Sequence, residues 1–300
     1  MFASGPYLGL TLGPVLGGFV VQSAGWRGLF VAAGALSVLV CLIPVWNLSG
    51  IEWRVSAKTR FDAAGAALYG VALPVMLLGF TLLPRRPGMV LSIMGAVGMF
   101  AFVLWETRAG DPLVDIHLFR SNRVLAGANV AAFANYAAVA AVTFLMSLYL
   151  QYTRGLDPQT AGIVLVAGAF VQAAFSPVAG KVVDRVNART VAAAGMGLSV
   201  LGLLGLSFIG EQTPYGYVIG MTCLLGLGFA FFASPITHAV MGSAGSTHVG
   251  MASSTLAAVR WTGNNVSIAI AGLILSAAVG AGAIGPASYP QVFSAVRLSL

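Results

Sequence analysis

The chain has 300 residues, 58% of them hydrophobic and only 8% charged, with a mean hydropathy of +0.92. Water-soluble domains carry about 25% charged residues, so a polar shell around an apolar core is excluded. The net charge of +7 does not mark a nucleic-acid partner, because the basic residues are scattered over many short loops and form no stripe.

The apolar residues fall in nine blocks, at about 2–22, 28–48, 61–84, 88–106, 124–150, 159–180, 190–210, 215–240 and 251–279, each near the ~20 residues that cross a bilayer as a helix. The runs are continuous and lack the period-two alternation of barrel strands. An all-α, polytopic transmembrane helix bundle of about nine spans is therefore expected, with the lipid bilayer as its solvent. Nearly all charges lie between the blocks, since lipid penalises an ionised group near mid-membrane. Short connections place consecutive spans antiparallel, and the longest polar segment, 107–123, reads as a seam between two groups of helices.

With residue 1 on the cytoplasmic side, Arg54, Lys58, Arg60, Arg108, Arg120, Arg123, Lys181, Arg185 and Arg189 face the cytoplasm. Arg27, Arg85, Arg86, Arg154 and Arg297 face outward, a bias that fits the positive-inside rule. Cys41 and Cys223 both fall inside blocks, which favours apolar packing over a disulfide or metal site. No basic segment precedes the first apolar run, so no cleavable signal peptide is evident. A span beginning at residue 2 reads as a chain that starts partway through a larger bundle.

In chain order, the first block carries Gly5, Gly9, Gly13 and Gly17, four residues apart, with Pro14 and Gly18 added. Glycines at this spacing make a flat groove for close helix approach, and Pro14 removes one internal hydrogen bond and permits a bend. The groove is either a generic packing face or a specialised bending and sealing helix. Gly9-Leu10-Thr11-Leu12-Gly13-Pro14-Val15-Leu16-Gly17-Gly18 resembles the G-x-x-x-G-P-x-x-G-G signature of the fifth span of drug:proton antiporters in the major facilitator superfamily. Gly25-Trp26-Arg27-Gly28-Leu29-Phe30 resembles the start of their sixth span.

Asp62 stands where it can cap a helix N-terminus, and Phe61-Asp62-Ala63-Ala64-Gly65 is similar to the F-D-x-x-G start of the extra pair of spans in the fourteen-span branch. Asp111 to Arg120 resembles that branch's approach to its ninth span, with His117 read as a solvated loop residue. Asn129, Phe133 and Tyr136 share one helical face, and Gln172 lies mid-block. This mixture suits either a pocket for bulky compounds or hydrogen bonds between helices.

Gly180-Lys181-Val182-Val183-Asp184-Arg185-Val186-Asn187-Ala188-Arg189 reads alone as positive-inside anchoring. It also resembles the superfamily's G-x-x-x-D-R-x-G-x-R loop, which implies that Asp184, Arg185 and Arg189 belong to a charge network steadying one access state. Asn187 replaces the usual Gly, and a left-handed backbone there would keep the turn tight. His238, near a span end, reads as structural.

Arg260 is the one formal charge well inside an apolar block, with Asn264 one turn on. It either faces the protein interior as a functional group or snorkels to the interface. Arg260-Trp261-Thr262-Gly263 resembles the family's thirteenth span. Gly280-Ala281-Gly282-Ala283-Ile284-Gly285 matches a dinucleotide fingerprint by letter, but it follows an apolar helix rather than a strand and runs into Pro286.

The resemblance implies a partial major-facilitator fold, with residues 1–48 as the remnant of an N-terminal bundle. Residues 49–107 would be two linker spans, and 108–300 a C-terminal bundle of five spans and an incomplete last one. It implies proton-coupled export of drugs or other small amphipathic compounds by alternating access, in a bacterial plasma membrane. Thirteen arginines against two lysines, with abundant Ala and Gly, fit a GC-rich genome. No cofactor, metal or enzymatic chemistry is implied. Two alternatives stay open: an inactive fragment of such a transporter, or a membrane-embedded enzyme or assembly factor that moves nothing.

Overall fold

The computed structural model describes residues 4–47, 62–83, 85–110, 112–114, 116–279, 293, 294 and 296. They form α1 (Ser4–Asn47), α2 (Ala63–Thr81), α3 (Arg86–Glu106), α4 (Ile116–Ser121), α5 (Arg123–Leu148), α6 (Pro158–Val183), α7 (Ala188–Ser207) and α8 (Tyr215–Val279). A turn of π-helix at Tyr149–Thr153 extends α5, and no strand occurs among the described residues. Seven helices in this set are long and apolar enough to cross a membrane, namely Ser23–Ile43, Ala63–Thr81, Arg86–Glu106, Arg123–Thr153, Pro158–Val183, Ala188–Ser207 and Tyr215–Gly245. The first and ninth apolar blocks are helical too, as the opening limb of α1 and the closing limb of α8.

Two connections expected as short loops, near 23–27 and 241–250, are instead corners of one glycine each. Gly25 (φ 70°, ψ 176°) interrupts α1, and Gly245 (φ 67°, ψ 163°) interrupts α8. That backbone region is open essentially to glycine alone, so one residue can end a span and begin the next. The chain folds back at both corners. Leu29 lies 3.6 Å from where a side chain on Gly17 would begin, and Arg260 touches Thr237 although 23 residues separate them. Through Pro14, by contrast, the backbone stays helical. The surroundings of Gly5, Gly9, Gly13, Pro14 and Gly18 lie outside the described residues, as does the Gly280–Gly285 segment.

Side-chain caps begin four helices. Asp62 accepts from the Gly65 amide (2.9 Å) at α2, and Asp157 accepts from Thr160 (2.9 Å) at α6. Asn122 accepts from Val124 and Leu125 at α5, and Asn187 accepts from Arg189 at α7. Asn187 has φ −56°, ψ 124°, which corrects the left-handed conformation expected there. Its side chain closes the turn by capping the next helix, and an extended backbone suits that role.

Packing is arranged around α8, which meets α2, α5, α6 and α7; α2 also pairs with α3, and α1 packs on α6. Lipid tails are as apolar as leucine, so close contact rather than expulsion of water drives helices together, and glycines supply it. A side chain on Gly168 of α6 would sit 2.6 Å from the Thr222 carbonyl oxygen of α8. One on Gly195 of α7 would sit 2.6 Å from the Phe231 backbone of α8. Tyr149, Leu145, Leu206 and Val218 fill one end of the bundle, and Leu125, Phe232, Val240 and Leu256 the other. The outward faces stay apolar, with Phe100, Val130, Phe170 and Trp261 all exposed, as lipid requires.

Candidate functional site

The corner at Gly245 brings the two limbs of α8 side by side and sets Arg260 against Thr237. Arg260 Nη2 donates to Thr237 Oγ1 (2.5 Å), whose hydroxyl donates in turn to the Ala233 carbonyl (2.7 Å). The guanidinium carbon lies 5.6 Å from the centre of the Tyr136 ring on α5. Tyr136 makes an edge contact with Phe229 at 5.0 Å. A cation over a ring face in low dielectric gains more than it would in water, and each bond in the Arg–Thr–carbonyl chain polarises the next. Arg260 Nε is buried with no acceptor. Arg260, itself half-buried, is therefore held between α5 and the first limb of α8.

Asn264, one turn on, is half-buried. Gly263 between them sits so close to α5 that a side chain there would lie 3.0 Å from the Phe133 carbonyl. The pairing of α5 with the last limb of α8 is thus fixed at the level of Arg260. Among the other residues picked out in the sequence, Asn129 is buried and bonds back to the Leu125 carbonyl (2.9 Å), leaving its Oδ1 unpaired. Phe133 turns outward. Gln172 is half-buried where α6 meets α8, its backbone nitrogen 3.3 Å from where a side chain on Gly226 would begin. The structure brings Tyr136 and Arg260 together, with Asn264 one turn further along α8, while Phe133 turns outward and Gln172 sits where α6 meets α8.

Asp184, Arg185 and Arg189 are all exposed, around the connection from α6 to α7. Arg189 is also one wall of a cavity of about 680 Å³, which lies between α5, α7 and the first limb of α8. None of Asn129, Phe133, Tyr136, Gln172, Arg260 and Asn264 lines it.

Three groups of polar contacts were not legible in the sequence. Tyr69 of α2 bonds Thr262 of α8 (3.0 Å). Thr262 spends its own proton on the Ala258 carbonyl, so Tyr69 is the donor and pins the α2–α3 pair to the last span. Glu106, at the end of α3, is buried and accepts from the Val114 amide (3.0 Å). Beside it, Trp105 Nε1 donates to Asp62 (2.9 Å). At the opposite end of α5, Tyr149 donates to the Gly210 carbonyl (2.8 Å) and Arg154 to that of Glu211 (2.6 Å), with Arg154 stacked on Tyr215. The hydrogen bond to Tyr215 raises the Arg154 guanidinium above its ordinary value. A tyrosine in an apolar block signals a buried hydroxyl needing an acceptor, but periodicity does not say which one.

Comparison with known proteins matches residues 128–294 to the Major Facilitator Superfamily. The chain is 31% identical to the multidrug resistance protein Stp of Mycobacterium tuberculosis, over 90% of this chain and 50% of that protein. It is 26% identical to the tetracenomycin C resistance and export protein of Streptomyces glaucescens, over 89% and 50%. To the riboflavin transporter RibZ of Clostridioides difficile it is 24% identical, over 88% and 56%. The chain spans about half the length of these curated relatives. Apolar helices of membrane length, glycine-mediated helix contacts and a family match over more than half the chain agree: this multi-pass protein of a bacterial plasma membrane belongs to the major facilitator superfamily.

Proposed function

We propose that the chain is part of a secondary transporter of the drug:proton antiporter branch, exporting small amphipathic compounds by alternating access with protons as coupling ion. The observation that carries this reading is the held cation: Arg260, clasped by Thr237 and Tyr136 where α5 meets both limbs of α8. It lies in a chain whose relatives include proteins named for multidrug resistance and export. An intramembrane charge held within protein marks a transport pathway more often than an anchor. Residues 1–48 then contribute the glycine-lined helix that packs on α6 and seals the pathway. Residues 49–107 form a linker pair joined to the rest by Tyr69–Thr262, and 108–300 the C-terminal bundle. In this reading Asn129, Phe133, Tyr136, Gln172, Arg260 and Asn264 belong to the substrate path, and Asp184, Arg185 and Arg189 steady one access state.

Everted vesicles from cells producing the protein from its whole coding frame provide the test. Ethidium should be moved when the vesicles are energised, and collapsing the pH gradient should stop it. Replacing Gly13 and Pro14 with leucine should abolish this transport while leaving membrane insertion intact. Transport that survives either the collapse of the gradient or the double substitution refutes the corresponding half of the proposal.

A further inference from the structure

The 680 Å³ cavity between α5, α7 and the first limb of α8 falls in the size range of ligand pockets. Its walls include Met196, Phe232 and Ile236, and its charged residues are Arg123 and Arg189, both exposed to solvent while lining it. Among the described residues, no acidic side chain lines it. Asp184, on the same α6–α7 connection, is not among its walls.

The two arginines add to positive potential already present at two helix ends. Arg123 is the first residue of α5 and Arg189 the second of α7. Helix N-termini carry partial positive charge and favour anions, yet neither helix has an acidic residue in its first turn. Both are capped by neutral asparagines, Asn122 and Asn187, whereas α2 and α6 are capped by Asp62 and Asp157. Two cations and two positive helix ends therefore converge on one apolar cavity, with no counter-charge among the described residues that line it.

These residues lie at the end of the bundle that carries the 107–123 and 181–189 connections, where the spans meet the headgroup layer. Anionic headgroups occupy basic pockets between spans at this level. We propose that this cavity is a binding site for an anionic phospholipid. Arg123 and Arg189 hold the phosphate, and an acyl chain lies along Met196, Phe232 and Ile236. The assignment is independent of whether the chain transports anything.

The test uses the purified full chain in detergent, with native mass spectrometry reading bound lipid for dioleoyl phosphatidylglycerol and dioleoyl phosphatidylcholine. Two arginines at the headgroup level should favour phosphatidylglycerol by about 30-fold. In the R123Q/R189Q double variant that preference should fall to within about 2-fold, whereas R85Q/R86Q, which removes the same charge from another connection, should retain it. Gly127→Leu narrows the cavity without altering charge, since a side chain there meets nothing within 4 Å; it should weaken phosphatidylglycerol binding at constant helicity. Equal binding of the two lipids overturns the proposal, as does equal loss of preference in both double variants. Stabilisation by inorganic phosphate alone that matches phosphatidylglycerol would assign the site to a free anion and overturn the lipid reading.

Discussion

Gly245→Ala isolates the backbone corner that builds the Arg260 site. An added side chain at Gly245 meets nothing within 4 Å, but the residue sits at φ 67°, ψ 163°. Any penalty is therefore conformational rather than steric. Holding a non-glycine residue in this region costs about 1–3 kcal/mol, offset by about 0.4–1 kcal/mol from the stiffer unfolded chain. Gly242, three residues earlier, is helical, exposed and equally free of neighbours. Alanine there should stabilise the helix by up to about 1 kcal/mol. The two variants should thus differ by about 1–3 kcal/mol, with Gly245→Ala the weaker. Denaturation of the purified chain in mixed micelles, followed by circular dichroism, measures the gap. Two variants within a few tenths of a kcal/mol of each other would show that α8 does not turn at Gly245, and the juxtaposition of Arg260 with Thr237 would lose its cause.

Four further outcomes follow from particular residues. Thr237→Val leaves the Arg260 guanidinium without its hydroxyl acceptor and should destabilise the bundle by about 1–3 kcal/mol in the same assay. Arg260→Met, which removes the charge altogether, should leave the fold at least as stable yet abolish export in energised vesicles; retained export would make Arg260 an anchor. Asp184→Asn should lower export more than Asp62→Asn, whose partners are the Gly65 amide and Trp105; equal rates would reduce the α6–α7 connection to positive-inside anchoring. The Thr160 amide and hydroxyl hold the Asp157 carboxyl below the usual carboxylate range. Its contribution to stability is therefore complete above its unfolded value of about 3.9 and is lost as the pH falls through the lower folded value. Asp157→Asn should flatten the pH dependence of Tm in that acid window and leave it unchanged near neutrality.

Helix ends were the most legible part of the sequence. The blocks at 88–106 and 159–180 correspond to α3 and α6 within three residues, because charge, proline and capping side chains collect where a span meets water. Asp62 caps the helix it precedes, as expected, whereas Asn187 was expected in a left-handed turn and caps from an extended backbone instead. The corners at Gly25 and Gly245 were less legible, since a loop of several polar residues and a single glycine at positive φ give similar breaks in hydropathy. Within the site, Arg260 stood out as a charge in an apolar block, but nothing near it in the sequence points to Thr237 or Tyr136.

What the sequence alone determined is the solvent and its consequence. Too few charges for water, and apolar runs of bilayer length, oblige each segment to satisfy its own backbone hydrogen bonds as a helix. What only the tertiary structure decided is which faces meet: Arg260 with Thr237, Tyr69 with Thr262, and Arg123 with Arg189 around one cavity. In water an amphipathic stripe announces the inward face of a helix. These helices are apolar on all sides, so their rotation is set by where glycines on distant segments let backbones touch, as Gly168 does against Thr222.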